Sequence, residues 1–186
     1  MPSVMWGPEL AEVYDRTYRA QFEPSVLDPM VGLLAELAGA GPALEFAVGT
    51  GRVALPLSAR GIAVHGLELS PHMTAQLSGK PGADRIPVTI GDMTATRVSG
   101  APFTLVYLVA NTIMNVTSQE DQLAVFANAA AHLAPGGCFA VQLWPSELDL
   151  MGRISGFRLG YRWAGWDRAP FTSESASQVA VFERLA

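Results

Sequence analysis

Short apolar runs alternate with segments of helical spacing along the middle of this chain, and that rhythm constrains the fold most. The runs are Ala43–Phe46, Ile62–Leu69, Ile86–Ile90, Phe103–Ala110 and Cys138–Trp144. Between them lie helical segments over Val53–Arg60, from Ser70-Pro71 to Ser78, and from Thr117-Ser118 onward, the last with Leu123, Phe126, Ala127, Ala130 and Leu133 on one side. Ser70 with Pro71, and Thr117-Ser118 ahead of Gln119-Glu120, are helix-start signals. Pro135-Gly136-Gly137 reads as the end of the third helix. Strands that alternate with helices in this way form a parallel sheet with helices on both faces, a doubly wound α/β domain. Ahead of the first strand, Leu27, Met30, Val31, Leu34 and Leu37 mark one helix, and Glu9–Gln21 reads as another. Behind the fifth strand, Ser146–Gly156 reads as a helix, and Arg158–Trp166 and Gln178–Leu185 as an antiparallel strand pair about a turn at Pro170-Phe171-Thr172.

In such sheets ligands bind beyond the carboxyl ends of the strands, and the residues that carry chemistry gather there. The first strand ends in Glu45 and runs into Ala47-Val48-Gly49-Thr50-Gly51-Arg52 before a helix begins. Glycines in that turn let a ligand approach the backbone, and the helix start offers free N–H groups. A carboxylate beside a pyrophosphate repels it, whereas beside a cation it is welcome, so glycine loop plus acid points to a nucleoside that carries positive charge. S-adenosylmethionine, a sulfonium with an ammonium group, fits. Glu68 ends the second strand, Asp92 follows the third, and Asn111 and Asn115 follow the fourth.

Bulk properties narrow the classes. Across 186 residues, 49% are apolar and 16% charged, which excludes a disordered chain and fits one domain with a sizeable core. A net charge of −5 disfavours nucleic acid as a partner. No apolar run approaches membrane-spanning length. A single cysteine, Cys138, and an N-terminus without signal character suit the cytoplasm. His65, His72 and His132 lack metal-ligand spacing, so no metal is expected.

The glycine loop, Gly66-Leu67-Glu68-Leu69-Ser70-Pro71-His72-Met73, Gly91-Asp92-Met93, Asn111-Thr112 and Leu133-Ala134-Pro135-Gly136-Gly137 occur in an order and spacing that resemble class I S-adenosylmethionine-dependent methyltransferases. Tyr14-Asp15-Arg16-Thr17-Tyr18 resembles the Tyr-Asp-x-x-Tyr segment of the small-molecule group. The resemblance covers nearly the whole chain and implies a Rossmann-like, mainly parallel seven-stranded sheet that closes with the antiparallel pair. It divides the chain into a lid segment (1–24), a cofactor-binding core (25–144) and a C-terminal helix with strand pair (145–186). It implies that Ala47, Gly49, Thr50, Gly51 and Arg52 surround the methionine part of S-adenosylmethionine, with Glu45 helping its ammonium directly or through water. Glu68 holds the ribose hydroxyls, Asp92 the adenine amino group, and Met93, Leu69 and Met73 flank the ring. The fourth-strand end, including Val109, offers a carbonyl to the ammonium, and Tyr14 and Tyr18 close over the cofactor. Tyr14, Asn111 and Asn115 are the substrate-side candidates, and no catalytic residue is identified.

Two departures stand out. Ala47 occupies the first glycine of the family's E-x-G-x-G-x-G loop. The antiparallel insert that usually follows the fifth strand is missing, because Phe139–Gln142 runs almost directly into Leu143-Trp144-Pro145. The expected function is in-line methyl transfer to a small-molecule acceptor, an N- or acidic O-nucleophile, with a homodimer over the open pocket left as one arrangement. The alternative is a weak or inactive binder of S-adenosylmethionine or S-adenosylhomocysteine, a sensor or assembly subunit. A nicotinamide dehydrogenase would need glycine at positions 47, 49 and 52, where this chain has Ala47, Gly49 and Arg52.

Overall fold

The fold is that of a computed structural model, which describes residues 6–100, 102–143 and 149–185. Seven strands form one sheet in the order β3-β2-β1-β4-β5-β7-β6. They are β1 (Ala43–Phe46), β2 (Val64–Glu68), β3 (Val88–Ile90), β4 (Phe103–Leu108), β5 (Leu133–Leu143), β6 (Phe157–Trp163) and β7 (Gln178–Arg184). The first five run parallel, and β7 is antiparallel to both β5 and β6. The mainly parallel sheet with a closing antiparallel pair is as the sequence predicts.

Strict two-residue alternation sorts side chains onto the two faces. On one face Ala43, Leu105, Tyr107, Ala140, Val179 and Val181 pack with α2 (Pro24–Ala38) and α3 (Ala54–Ala59). On the other, Leu44, Phe46, Val106, Leu108, Phe139 and Val141 pack with α5 (Gln119–His132). Phe126 of α5 meets Phe139 and Phe182 edge-to-face, each with ring centroids 5.2 Å apart, so the antiparallel pair is locked to the parallel sheet by aromatic contacts. The order reverses between β1 and β4, which opens a crevice at their carboxyl ends.

Several predicted boundaries change. The first helix, α1, spans Pro8–Thr17 and gives way to a 3₁₀ turn at Arg19–Phe22, because Glu23 precedes Pro24 and is extended (φ −64°, ψ 140°). Pro135-Gly136-Gly137 does not separate α5 from β5. The helix stops at His132, and the strand runs through these residues from Leu133, which pairs with Phe103 before a register shift. The buried face of α5 is Val125, Phe126, Asn128, Ala129 and His132, while Ala127 points to solvent. Asn128 and His132 tolerate burial because each is hydrogen-bonded: Asn128 Nδ2 donates to the Met93 and Thr96 carbonyls at 2.8 and 3.1 Å, and His132 Nε2 accepts from Val98 N–H at 2.9 Å. Helix α6 spans Asp149–Ile154, and the predicted start at Ser146, like Trp144, lies outside the described residues. Strand β6 is shorter than predicted, because the chain turns at Ala164–Ala169 to bridge Trp163 with Pro170.

Candidate functional site

A cavity of about 200 Å³ lies over the carboxyl ends of β1, β2 and β4. Its floor is Ala47 and Gly49 after β1, and Leu67 and Glu68 of β2 with Leu69 beyond. One side is Met73 of α4 (Pro71–Ser78) and Gly91, Asp92 and Met93 after β3. The other side is Ala110, Thr112 and Asn115 after β4, and the N-terminal segment closes over it with Trp6, Tyr14, Tyr18 and Gln21.

The backbone is bent at both sheet-end turns. Ala47 has φ 54°, and Ala110 and Asn111 have φ 58° and 57°, all in the left-handed region that alanine adopts only at a cost. The Ala110 turn is clamped from β5: its N–H donates to Gln142 Oε1 at 2.9 Å, and the Asn111 N–H donates to the Gln142 carbonyl at 3.2 Å. Gly51 stands at φ 81°, where any side chain is strained, and a Cβ there would also press on the Leu77 and Leu55 side chains.

Glu68 is the structural centre of the floor. Its Oε2 accepts from the Gly49 N–H and its Oε1 from the Ser70 N–H, both at 2.8 Å, so one carboxylate joins the glycine loop to the start of α4. Burial pushes the Glu68 carboxyl up, against the pull of those backbone donors. Asp92 Oδ1 accepts from the N–H and the hydroxyl of Thr94, each at 2.8 Å, which fixes its turn. The turn is held from below by Asn128 on the Met93 carbonyl.

Over the cavity, three aromatic rings form a cover. Trp6 meets Tyr14 edge-on at 5.4 Å between centroids, and Tyr14 tilts against Tyr18 at 4.7 Å. Burial raises the Tyr14 phenol, partly opposed by the Arg52 guanidinium, so it is a neutral hydrogen-bonding group. The Ser70 hydroxyl donates to the Trp6 carbonyl at 2.5 Å and joins the cover to the floor.

Among the predicted site residues, Tyr14, Tyr18, Ala47, Gly49, Glu68, Leu69, Met73, Asp92, Met93 and Asn115 come together on this cavity. Glu45, Thr50, Gly51, Arg52, Val109 and Asn111 do not line it. Glu45 is 2% exposed beneath the loop, its Oε2 accepting from the Tyr107 hydroxyl at 2.9 Å, and burial pushes its carboxyl to about 8. Glu45 therefore faces the core beneath the glycine loop and not the cavity, and the carboxylates that line the cavity are Glu68 and Asp92. Thr50 and Arg52 act behind the wall, tying the glycine loop to the N-terminal segment: the Thr50 hydroxyl donates to Asp15 at 2.6 Å, and Arg52 reaches the Gln21 carbonyl at 3.4 Å. The Val109 carbonyl accepts from the Thr112 hydroxyl at 2.7 Å, and Ala110 stands on the wall instead. Asn111 Oδ1 is buried with no hydrogen-bond partner among the described residues.

Ala110 belongs to the fourth-strand end (Leu108 to Ala110) expected to meet the cofactor, whereas sequence reasoning missed Trp6, Gln21, Leu67, Gly91 and Thr112 as wall residues. Gly91 and Thr112 sit inside motifs already singled out, whereas Trp6 and Gln21 carry no local signal. His65, His72 and His132 are off the cavity, and no cluster of His, Cys, Asp or Glu suited to a metal ion occurs among the described residues. Among the same residues no helix is long and apolar enough to cross a membrane.

This sheet order, with its glycine loop and strand-end carboxylates, defines a class I methyltransferase architecture. The chain belongs to the methyltransferase domain family, whose profile matches residues 43–137. It is 29% identical over 145 residues to a dTDP-4-amino-2,3,4,6-tetradeoxy-D-glucose N,N-dimethyltransferase of Saccharopolyspora spinosa, an alignment over 76% of this chain and 57% of that protein. The chain thus spans little more than half the length of that curated relative. In fold it is similar to the CcbJ methyltransferase of Streptomyces caelestis (TM-score 0.89, 24% identity, all of both chains). It is also similar to SAM-bound CalS10, an amino pentose methyltransferase of Micromonospora echinaspora (TM-score 0.71, 19% identity, 92% of this chain and 96% of that one).

Proposed function

We propose that the protein transfers a methyl group from S-adenosylmethionine to a small-molecule acceptor through an amine nitrogen or an already acidic oxygen. The observation that carries this reading is the pair of carboxylates, Glu68 at the end of β2 and Asp92 after β3, that line one cavity beside the β1–β4 switch point. Both Glu68 oxygens already accept one backbone N–H. Each keeps a second acceptor site, so the side chain is suited to two ribose hydroxyls without releasing the loop. Asp92 is suited to the adenine amino group, with Leu69, Met73 and Met93 around the ring. The backbone of Ala47, Gly49 and Ala110 lies open for the methionine end, with Thr50, Gly51 and Arg52 supporting it from behind. SAM-bound CalS10, which shares the fold, supports the same cofactor here.

Bound there, S-adenosylmethionine supplies a methyl group already activated on a sulfonium. The protein's part is to orient and to exclude water: Tyr14, Tyr18 and Trp6 cover the cavity, and Asn115, on its wall after β4, is the acceptor-side candidate. Positioning of this kind suffices for an amine that arrives neutral. The relative from Saccharopolyspora spinosa is named an N,N-dimethyltransferase of an amino sugar, which supports nitrogen as acceptor atom and an enzyme over an inactive binder. The Tyr-Asp-x-x-Tyr segment serves as lid. In the sequence Phe139–Gln142 runs almost directly into Leu143-Trp144-Pro145, and that junction is read as the place of the absent roof insert. The test is a panel of amino sugars and other small amines incubated with S-adenosylmethionine, with methylated product and S-adenosylhomocysteine followed by mass spectrometry. Product from an amine supports the reading, and S-adenosylhomocysteine that fails to bind in calorimetry overturns it.

A further inference from the structure

One side chain of α1 reaches the glycine loop. The Asp15 carboxylate accepts from the Thr50 hydroxyl at 2.6 Å, and its second oxygen is ion-paired with the Lys80 ammonium. That ammonium also donates to the Thr50 carbonyl at 2.8 Å and stands 5.6 Å from the centre of the Phe22 ring. Three segments distant in sequence, the N-terminal helix, the loop after β1 and the turn after α4, therefore meet at one carboxylate. Asp15 does not line the cavity, but Tyr14 beside it and Tyr18 one turn later do.

Local physics gives no reason for an acid at this position. Asp15 lies in the last turn of α1, where the helix dipole disfavours negative charge, and aspartate is a poor helix former. What it contributes is the tertiary contact. The contact also falls next to the floor of the cavity, because Thr50 follows Gly49, whose N–H is held by Glu68.

We propose that Asp15 is the positioning residue that latches the lid: through Thr50 and Lys80 it holds Tyr14 and Tyr18 over the cavity and sets how fast a bound nucleoside leaves. The part about the nucleoside rests on the cavity being an S-adenosylmethionine site; the latch itself does not. Asp15 keeps 41% of its side chain exposed, so added salt screens the Lys80 arm while leaving the neutral Thr50 donor in place. Release accordingly speeds up with ionic strength.

The test is the dissociation rate of S-adenosylhomocysteine, followed in a chase experiment on the wild type, Asp15→Ala, Thr50→Val, Thr50→Ser and the double variant Asp15→Ala/Thr50→Val. Asp15→Ala is expected to release the ligand about tenfold faster, since it removes a charge-assisted hydrogen bond. Thr50→Val should have a smaller effect in the same direction, Thr50→Ser should keep the wild-type rate, and the double variant should be no faster than Asp15→Ala. An unchanged rate in Asp15→Ala, or a double variant equal to the product of the singles, overturns the latch. Alanine is the better helix former, so a loosened lid in this variant does not come from a weakened α1. Hydrogen exchange on the ligand-free proteins gives a second reading: faster exchange in Asp15→Ala confined to residues 8–22 supports the latch, and unchanged or uniformly faster exchange overturns it. If the wild type binds no S-adenosylhomocysteine, the cofactor reading fails, and the exchange experiment alone decides the latch.

Discussion

Tyr107 donates its hydroxyl to Glu45 Oε2 across 2.9 Å from the position directly opposite in the β1–β4 register. Both side chains are buried on the face that packs against α2 and α3. Burial raises Glu45 to about 8, although Tyr107, Arg52 and the Ala54 N–H all favour its charged form, and the neighbouring Glu45 raises Tyr107 further above its usual range.

Because Glu45 is raised in the folded protein, the native state holds a proton that the unfolded chain gives up near the ordinary carboxylate value of 4.5. Stability is therefore greatest at or below that value and falls as pH rises towards about 8. The loss from this group is on the order of 5 kcal/mol, the rise from 4.5 to about 8 taken at about 1.4 kcal/mol per pH unit. Urea unfolding across this range should show the decline in the wild type and a flatter profile in Glu45→Gln. Parallel profiles for the two proteins would count against a buried neutral Glu45.

Ala47 sits at φ 54°. Replacement by glycine removes the penalty of a Cβ in the left-handed region, so Ala47→Gly should stabilise the protein by about 1 kcal/mol. Valine at the same position should destabilise it by more than that. Chemical denaturation midpoints at constant m-value decide between gain and loss.

Glu68 carries two backbone hydrogen bonds and faces the cavity. Glu68→Ala leaves the Gly49 and Ser70 donors without their acceptor and removes the proposed ribose contacts. Affinity for S-adenosylhomocysteine should fall at least about a hundredfold, the equivalent of two charged hydrogen bonds. Calorimetry reads this directly, and retained affinity would mean that the ligand does not use this wall.

Asn128 is 3% exposed and holds the Met93 and Thr96 carbonyls. Asn128→Leu keeps the volume but leaves the buried Met93 carbonyl and the part-buried Thr96 carbonyl without their donor, which costs about 1–3 kcal/mol. Because those carbonyls belong to the turn that carries Asp92, ligand affinity should weaken in parallel with the unfolding midpoint. An unchanged midpoint would show that water takes over both acceptors.

Much of this was legible in the sequence, for identifiable reasons. Strands β1, β2 and β4 are apolar runs bounded by breakers, and Glu68 stands where a charge ends such a run. The turns at Gly49–Gly51 and Gly91-Asp92 follow from the same punctuation. Glu45 is the instructive exception: position 45 was readable, but its direction was not, because its neighbours Leu44 and Phe46 face α5 while it faces α3. The polar core positions Asn128 and His132 were hidden because their partners, Met93, Thr96 and Val98, lie some thirty residues away. Pro135-Gly136-Gly137 misled for a related reason, since pairing with β4 overrides the breaking tendency of those residues. Trp6 closes the cavity by contacts with Tyr14 and Ser70 that no local pattern encodes.

Strand β7 follows β6 in sequence yet sits between β5 and β6. Among the described residues its neighbour β6 pairs with no other strand, so it stays an orphan until residues 178–184 lie alongside it. A truncation at Ser177 would strip the sheet of two strands rather than one, and would bare the Phe126–Phe139 side of the core that Phe182 covers. Closure of the sheet on this side is in that sense decided by a single seven-residue strand.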